Sequence, residues 1–245
     1  MLLTHVFASI QPINTCNLAS ITLALKGLNI SCHIDEIFTS LRLPTRWVVE
    51  QGLTLAQVFN ILVKLCGSTN EDELLVQGAS VECFHFDEAA VDFNSFHEYL
   101  RLSLTKTNNV LIANFNTKIA KDMECGGGHF SVISGYDEKT KLVSIADVHP
   151  KKYGAHWACS ARKLFEAMVD KDSSSNRARG MIRVSLSTAK PISILESCQQ
   201  AISFRDSMFG IEEQEWLSRW GDLPIASFES HLNMGGLTIL GLALL

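Results

Sequence analysis

Residues 126–148 read GGGHFSVISGYDEKTKLVSIADV, and how this stretch folds decides the architecture of the chain. HFSVISGYD reads as one strand, EKTKLVSIADV supplies a second, and the tight polar DEKTK between them predicts a hairpin. Antiparallel pairing makes the indices of facing residues add to a constant. A turn centred near Glu138 sets that constant near 276, the value for His129 and Asp147. The stretch therefore predicts His129 and Asp147 as cross-strand neighbours, with the carboxylate fixing the tautomer of the imidazole. A slip of one residue would separate them.

Working outward, NNVLIANF (108–115) reads as a buried strand, MIRVSLS (181–187) as a last strand, and VECFHFD (81–87) alternates like a third. The segment after Cys16 mixes helical spacing with a continuous apolar run and stops at KGLN (26–29). HIDEIFTSLRL (33–43) is helical. GLTLAQVFNILVKLCG (52–67) has Thr54 as N-cap, one face made of Leu55, Val58, Phe59, Leu62 and Leu65, and Gly67 as its end. Between these two, Pro44 and Trp47 mark a turn and an anchoring aromatic. FNSFHEYLRLSL (93–104) and SARKLFEAMVD (160–170) are helices, and DSSSNRARG (172–180) is a loop. Helices first and an antiparallel sheet second predict an α+β fold with a helical N-terminal lobe and a sheet C-terminal lobe. Residues 1–190 form one domain on this reading, and residues 191–245 a C-terminal extension packed on it.

The totals exclude several classes. A net charge of −5 and a pI near 5.9 argue against nucleic acid or an anionic membrane as partner. No apolar run is long enough to span a bilayer, the start lacks the basic region of a signal peptide, and the apolar tail GGLTILGLALL (235–245) is too short. The seven cysteines are scattered and never form CxxC, which suits reduced thiols in a reducing, cytoplasmic setting.

Thiol catalysis needs a thiolate, a base, a group that orients the base, and donors for an oxyanion. Cys16 stands at the expected start of a helix, where unpaired N–H groups and the dipole favour a thiolate. Gln11 carries an amide able to donate to an oxyanion. The hairpin supplies His129 and Asp147. CGGGH (125–129) adds three glycines beside the histidine, suited either to close backbone approach or to an ordinary turn. Cys83, His85, His149, His156 and Cys159 lack the paired spacing of a structural zinc site.

QPINTCNLAS (11–20), GLTLAQVFNILVKLCG (52–67), GGGHFSVISGYDEKTKLVSIADV (126–148), KKYGAHW (151–157) with LFEAM (164–168), and RARGMIRVS (177–185) come in the order seen in phytochelatin synthases, and the chain resembles that family over residues 11–185. The resemblance implies a papain-like cysteine-peptidase fold, with Cys16 as nucleophile, His129 as general base and acid, Asp147 as orienting group and Gln11 in the oxyanion hole. It also implies cleavage of glycine from glutathione through a γ-glutamylcysteinyl thioester, which is then hydrolysed or passed to a second glutathione. No cofactor is implied for the chemistry; a heavy-metal ion such as zinc or cadmium enters as a thiolate complex of the substrate. Glutathione or a related small thiol is the expected partner, and a homodimer is compatible with it.

Three departures from the family pattern cluster near the chemistry. Asn17 follows the nucleophile where the family usually has glycine, the interval from Gln11 to Cys16 is one residue shorter, and Pro150 stands three residues after Asp147 where an arginine is typical. Lys151 and Lys152 are adjacent but lack the bidentate guanidinium fork. An acyltransferase or protease acting on a different amide or thioester is therefore the alternative, and a non-enzymatic binding module the remaining one.

Overall fold

A computed structural model describes residues 14–67, 79–87, 92–106 and 108–186. Gln11 and the extension at 191–245 lie outside the described residues. Four helices open the chain: α1 (Cys16–Gly27), α2 (Ile34–Ser40), α3 (Thr45–Gln51) and α4 (Leu55–Gly67). Then follow β1 (Ala79–His85), α5 (Phe93–Leu104), β2 (Asn109–Asn116), α6 (Thr117–Lys121), β3 (Gly128–Asp137) and β4 (Leu142–Ala146). The last part holds α7 (Pro150–Tyr153), β5 (His156–Ser160), α8 (Ala161–Val169), the short pair β6 (Lys171–Asp172) and β7 (Arg177–Ala178), and β8 (Gly180–Leu186).

The main sheet has six strands in the order β1-β8-β2-β3-β4-β5, every neighbouring pair antiparallel. Both faces are covered, which makes the chain an α+β protein of helices on a mixed-length antiparallel sheet. On one face α1 and α4 lead a core that includes Leu18, Ile21, Leu25, Val58 and Leu62 packed with Val110, Ile112, Val132 and Ile182. On the other face α5 and α8 bring Phe96, Leu100, Leu164 and Met168 onto Leu111, Phe115, Ile133 and Ile145. Strand β2 lies mid-sheet, so six consecutive residues from Val110 to Phe115 are buried rather than alternate ones.

Helix α1 is buried nearly all round, as its continuous apolar run requires. Gly27 ends it, but the left-handed residue beyond is Asn29, with φ 62°. Helix α4 begins with the expected cap: the Gln57 N–H donates to Thr54 Oγ1, and the Thr54 N–H donates to Gln57 Oε1. The segment around Pro44 and Trp47, expected as a turn, is helix α3, with Pro44 as its N-cap. A proline at a helix start costs nothing, because the N–H it lacks would have been unpaired there. The loop expected at 172–180 overlaps the small β6–β7 pair, which starts one residue before it at Lys171.

The hairpin register differs from the one expected. Pairs near the turn, such as Asp137 with Leu142, have indices adding to 279, while Val132 with Ala146 adds to 278. One extra residue, Ser134, is accommodated as a bulge between Ile133 and Gly135. At 279 the two residues of interest would lie on opposite faces of the sheet. At 278 Asp147, one step beyond β4, sits opposite Ser131 and diagonal to His129 on the same face.

Candidate active site

Helix α1 packs along β3 and β2, which carries its first residue, Cys16, to the starting end of β3. The turn before it is pinned from outside: Asn14, with φ 57°, donates its side-chain amide to the Val49 carbonyl of α3 at 2.8 Å. The helix that the sequence reading missed thus anchors the residue two before the thiol. Thr15, the N-cap, makes no side-chain cap. The Leu18 N–H is taken by Asn17 Oδ1 at 2.7 Å, so among the described residues the N–H groups of Cys16 and Asn17 are those left at the helix start.

The Cys16 side chain lies close enough to the His129 ring to raise its pKa. His129 Nε2 lies 3.0 Å from Asp147 Oδ1 and 3.1 Å from Ser131 Oγ, which leaves Nδ1 to face the thiol. Both His129 and Asp147 are buried, at 4% and 0% exposure. Asp147 also accepts from the His149 N–H at 2.8 Å through Oδ1 and from Trp157 Nε1 at 2.8 Å through Oδ2. Its own N–H donates to the Ala155 carbonyl. Tyr153 lies over the imidazole with ring centroids 4.7 Å apart, and Phe115 meets it edge-on at 5.7 Å.

This packing sets the charge states. Burial alone would pull the His129 pKa down, but hydrogen bonds to Asp147 and Cys16, with the charges of both, raise it to about 10. Burial pushes the other way on Asp147, yet its bonds from His129, Trp157 and His149 hold it below the usual carboxylate range. At neutral pH His129 is thereby held as an imidazolium beside the Asp147 carboxylate. Elsewhere burial drives thiols in the opposite direction, with Cys32 and Cys66 each pushed up to about 12 and Cys159 to about 11. Those three stay neutral and unreactive.

CGGGH is held by the chain itself. The Gly127 N–H donates to Thr117 Oγ1, and the Thr117 N–H donates back to the Gly127 carbonyl, both at 3.0 Å. At Gly128 an added Cβ would come within 3.0 Å of Arg179 Nη2. The glycines therefore admit Thr117 and Arg179 beside the histidine. Arg179 is buried at 6% exposure; its Nη1 donates to the Asp170 side chain at 3.2 Å, Nη2 is 3.9 Å from Asp172, and Nε has no partner among the described residues.

Arg179, Tyr153, Ser131 and Trp157 were not picked out as site residues by the sequence reading. Trp157 and Arg179 each stood in a quoted motif without a role, Arg179 where a polar loop meets the last strand. Pro150 opens α7, so no guanidinium occupies that place. Among the described residues no group of three or more His, Cys, Asp or Glu side chains is placed to hold a metal ion, and no described helix is long and apolar enough to cross a membrane.

Chemically the arrangement can polarise a thiol, hold and return a proton at Nδ1, and present helix N–H groups to a developing negative charge. Comparison with known proteins points the same way. The phytochelatin synthase family model matches residues 1–181. Glutathione gamma-glutamylcysteinyltransferase 2 of Arabidopsis thaliana is 29% identical over 178 residues, covering 72% of this chain and 37% of that protein. Glutathione gamma-glutamylcysteinyltransferase 1 of the same plant is 28% identical over 178 residues, covering 72% and 35%. The glutathione gamma-glutamylcysteinyltransferase of Schizosaccharomyces pombe is 28% identical over 92 residues, covering 38% and 22%. The chain thus spans little more than a third of the length of the plant relatives it matches. With a matched segment that runs through Cys16, His129, Asp147 and Arg179, the chain belongs to the phytochelatin synthase family.

Proposed function

We propose that this chain is a thiol-dependent acyltransferase that cleaves glycine from glutathione and carries the γ-Glu-Cys group on Cys16. The observation that supports this most directly is the buried His129–Asp147 hydrogen bond set beside the half-buried Cys16 at the start of α1. His129 carries the proton and gives counter-charge to a thiolate at Cys16. The sulfur attacks the carbonyl of the Cys–Gly amide, forming the C–S bond, and the oxyanion is met by the Cys16 N–H and, outside the described residues, by Gln11. His129 Nδ1 then donates its proton to the amide nitrogen, the C–N bond breaks, and glycine leaves. In the second half His129 takes a proton from water or from the amine of an acceptor thiol, which attacks the thioester and frees Cys16. Asp147 keeps Nε2–H engaged and stabilises the imidazolium throughout.

Arg179 fits one end of such a substrate. Its guanidinium lies against Gly128, beside His129, where its charge suits a substrate carboxylate, and Asp170 and Asp172 beside it suit an ammonium. In this reading residues 1–190 are a papain-like catalytic domain, no resident cofactor takes part, and zinc or cadmium arrives as the thiolate complex of the substrate. The test is incubation of the purified protein with glutathione, with and without zinc or cadmium, beside Cys16→Ala. Glycine and γ-Glu-Cys or its oligomers should appear only with the native protein; no glycine under any condition would sink the glutathione reading.

One observation favours the alternative donor. Asn17 is 1% exposed and holds the turn at Cys16 through Leu18 N and Asn14 O, where the family pattern leaves the space of a glycine. Trapping of an acyl probe on Cys16 by a protein inert toward glutathione would identify a different amide or thioester as substrate.

A further inference from the structure

Asp147 is held from both neighbouring strands. Ile145 faces Trp157 in the β4–β5 pairing, so Trp157 lies diagonal to Asp147 on one side as His129 does on the other. Each side chain takes one carboxylate oxygen: His129 Nε2 is 3.0 Å from Oδ1, and Trp157 Nε1 is 2.8 Å from Oδ2. With Asp147 fully buried, Trp157 is the donor that satisfies Oδ2 and fixes the plane of the carboxylate. The indole carries a cation in turn. Lys121 Nζ, at the end of α6, stands 4.1 Å from the ring centroid and donates to the Tyr153 carbonyl at 3.2 Å. Phe115 backs both rings, with its centroid 5.7 Å from those of His129 and Trp157.

We infer that Trp157 and Lys121 are positioning residues that act through Asp147 to keep His129 protonated and correctly turned toward Cys16. The inference rests on the reading of Cys16 as a thiolate nucleophile, not on which substrate it attacks. A cation on the face of an indole withdraws electron density and makes its N–H a stronger donor. A stronger bond to Oδ2 fixes the plane of the carboxylate, and a rigid Asp147 keeps Oδ1 aligned on Nε2–H and so holds the proton on His129. Lys121 also joins the backbone of α7, whose Tyr153 lies over the imidazole, so one side chain ties the indole to the roof of the site. Among the described residues, the titratable groups facing this corner are Cys16 from α1, His129 from β3, His149, Lys152 and Tyr153 from α7 and its cap, Lys121 from α6, Cys159 from β5 and Lys163 from α8. Of these, Lys121 alone lies over the indole face that bonds Asp147.

The test reads the charge state of the pair without any substrate. Iodoacetate is an anion, so it alkylates a thiolate beside an imidazolium faster than one beside a neutral ring, and its rate falls as the imidazolium loses its proton. Trp157→Phe keeps the ring and removes the N–H. Its alkaline limb should move down by about one pH unit, a tenfold weaker hold on the proton. Lys121→Met keeps the aliphatic chain and removes the charge. It should move the limb the same way by about half a unit, roughly threefold. A Trp157→Phe protein whose limb superimposes on the native one overturns the inference, whatever its thermal stability. If Trp157→Phe does not fold, an unmoved limb in Lys121→Met overturns it. A native protein with normal alkylation but no glycine release from glutathione would count against the glutathione reading and leave this one standing.

Discussion

Asp147→Asn is the substitution whose outcome the geometry constrains most tightly. All three groups around the carboxylate are donors: His129 Nε2 and the His149 N–H on Oδ1, and Trp157 Nε1 on Oδ2. An asparagine must turn its NH₂ toward a donor in either orientation. With its oxygen at the Oδ1 position it keeps the His129 and His149 bonds and leaves the Trp157 N–H buried without a partner. Flipped, it opposes the fixed His149 N–H and bonds His129 only if the ring moves its proton to Nδ1, the wrong nitrogen for meeting a thiolate. The backbone N–H at 2.8 Å cannot turn away, so the first orientation should prevail. The orphaned indole N–H then costs about 1–3 kcal/mol of stability, and replacing a charged acceptor by a neutral one costs the imidazolium about 1.5–3 kcal/mol. That is a fall of one to two units in the His129 pKa from about 10. At pH 7 turnover should drop about 10- to 100-fold, with the alkaline limb of iodoacetate alkylation of Cys16 moved down by the same one to two units. Parallel assays of glycine release from glutathione and of alkylation measure both. A loss near 10⁴-fold would mean the amide flips and the tautomer inverts, as in a serine protease with the same change. That result, or an unmoved limb, would refute the reasoning.

Other expectations are simpler. Arg179→Met should raise KM for glutathione at least tenfold with little change in the alkylation of Cys16, because in the proposed reading the guanidinium, which lies against Gly128, meets the substrate carboxylate; an unchanged KM removes Arg179 from the site. Gly180→Ala should destabilise the protein by about 2 kcal/mol, roughly 4–8 °C in Tm, because the new Cβ would overlap the Phe84 carbonyl of β1, a backbone atom with little freedom to move; thermal denaturation decides, and a native Tm contradicts the close packing. The pH dependence of stability follows from two shifts of opposite sign. The lowered pKa of Asp147 contributes stability present above about pH 4 and lost as pH falls through its native value. The raised pKa of His129 contributes stability fully present below about pH 6.5 and lost as pH rises through about 10. The Tm advantage of the native protein over Asp147→Asn should accordingly be greatest near pH 4–6.5 and shrink by pH 10; an advantage that grows on going from pH 7 to 10 has the wrong sign.

What local chemistry governs was readable from the residues. Helix α5 spans Phe93–Leu104 as its spacing predicts, and Thr54 caps α4 as its position before an apolar run suggests. The hairpin was visible because a polar turn between two apolar runs leaves the chain little else to do. Its register was not, since a turn centred past Glu138 and a bulge at Ser134 offset one another to within two residues. Helix α3 was hidden by Pro44, which read as a turn, and is held in place by packing of Val48 into the core. Arg179 is next to Gly128 only through the order of strands β8, β2 and β3 in the sheet, a contact across fifty-one positions that no short window contains. Gln11 lies outside the described residues, so its place beside Cys16 rests on the family resemblance alone.

The bulge at Ser134 bears on how distant kin are recognised. The interval of eighteen between His129 and Asp147 is the sum of a turn and one residue that pairs with nothing. Removing Ser134 would leave Ile133 against Ile145 and Gly135 against Ser144, and every partner of the histidine and the aspartate where it was. A descendant that had lost this residue would keep the same chemistry at an interval of seventeen. A search keyed to the count would pass it over, while one keyed to which strand residues face each other would find it.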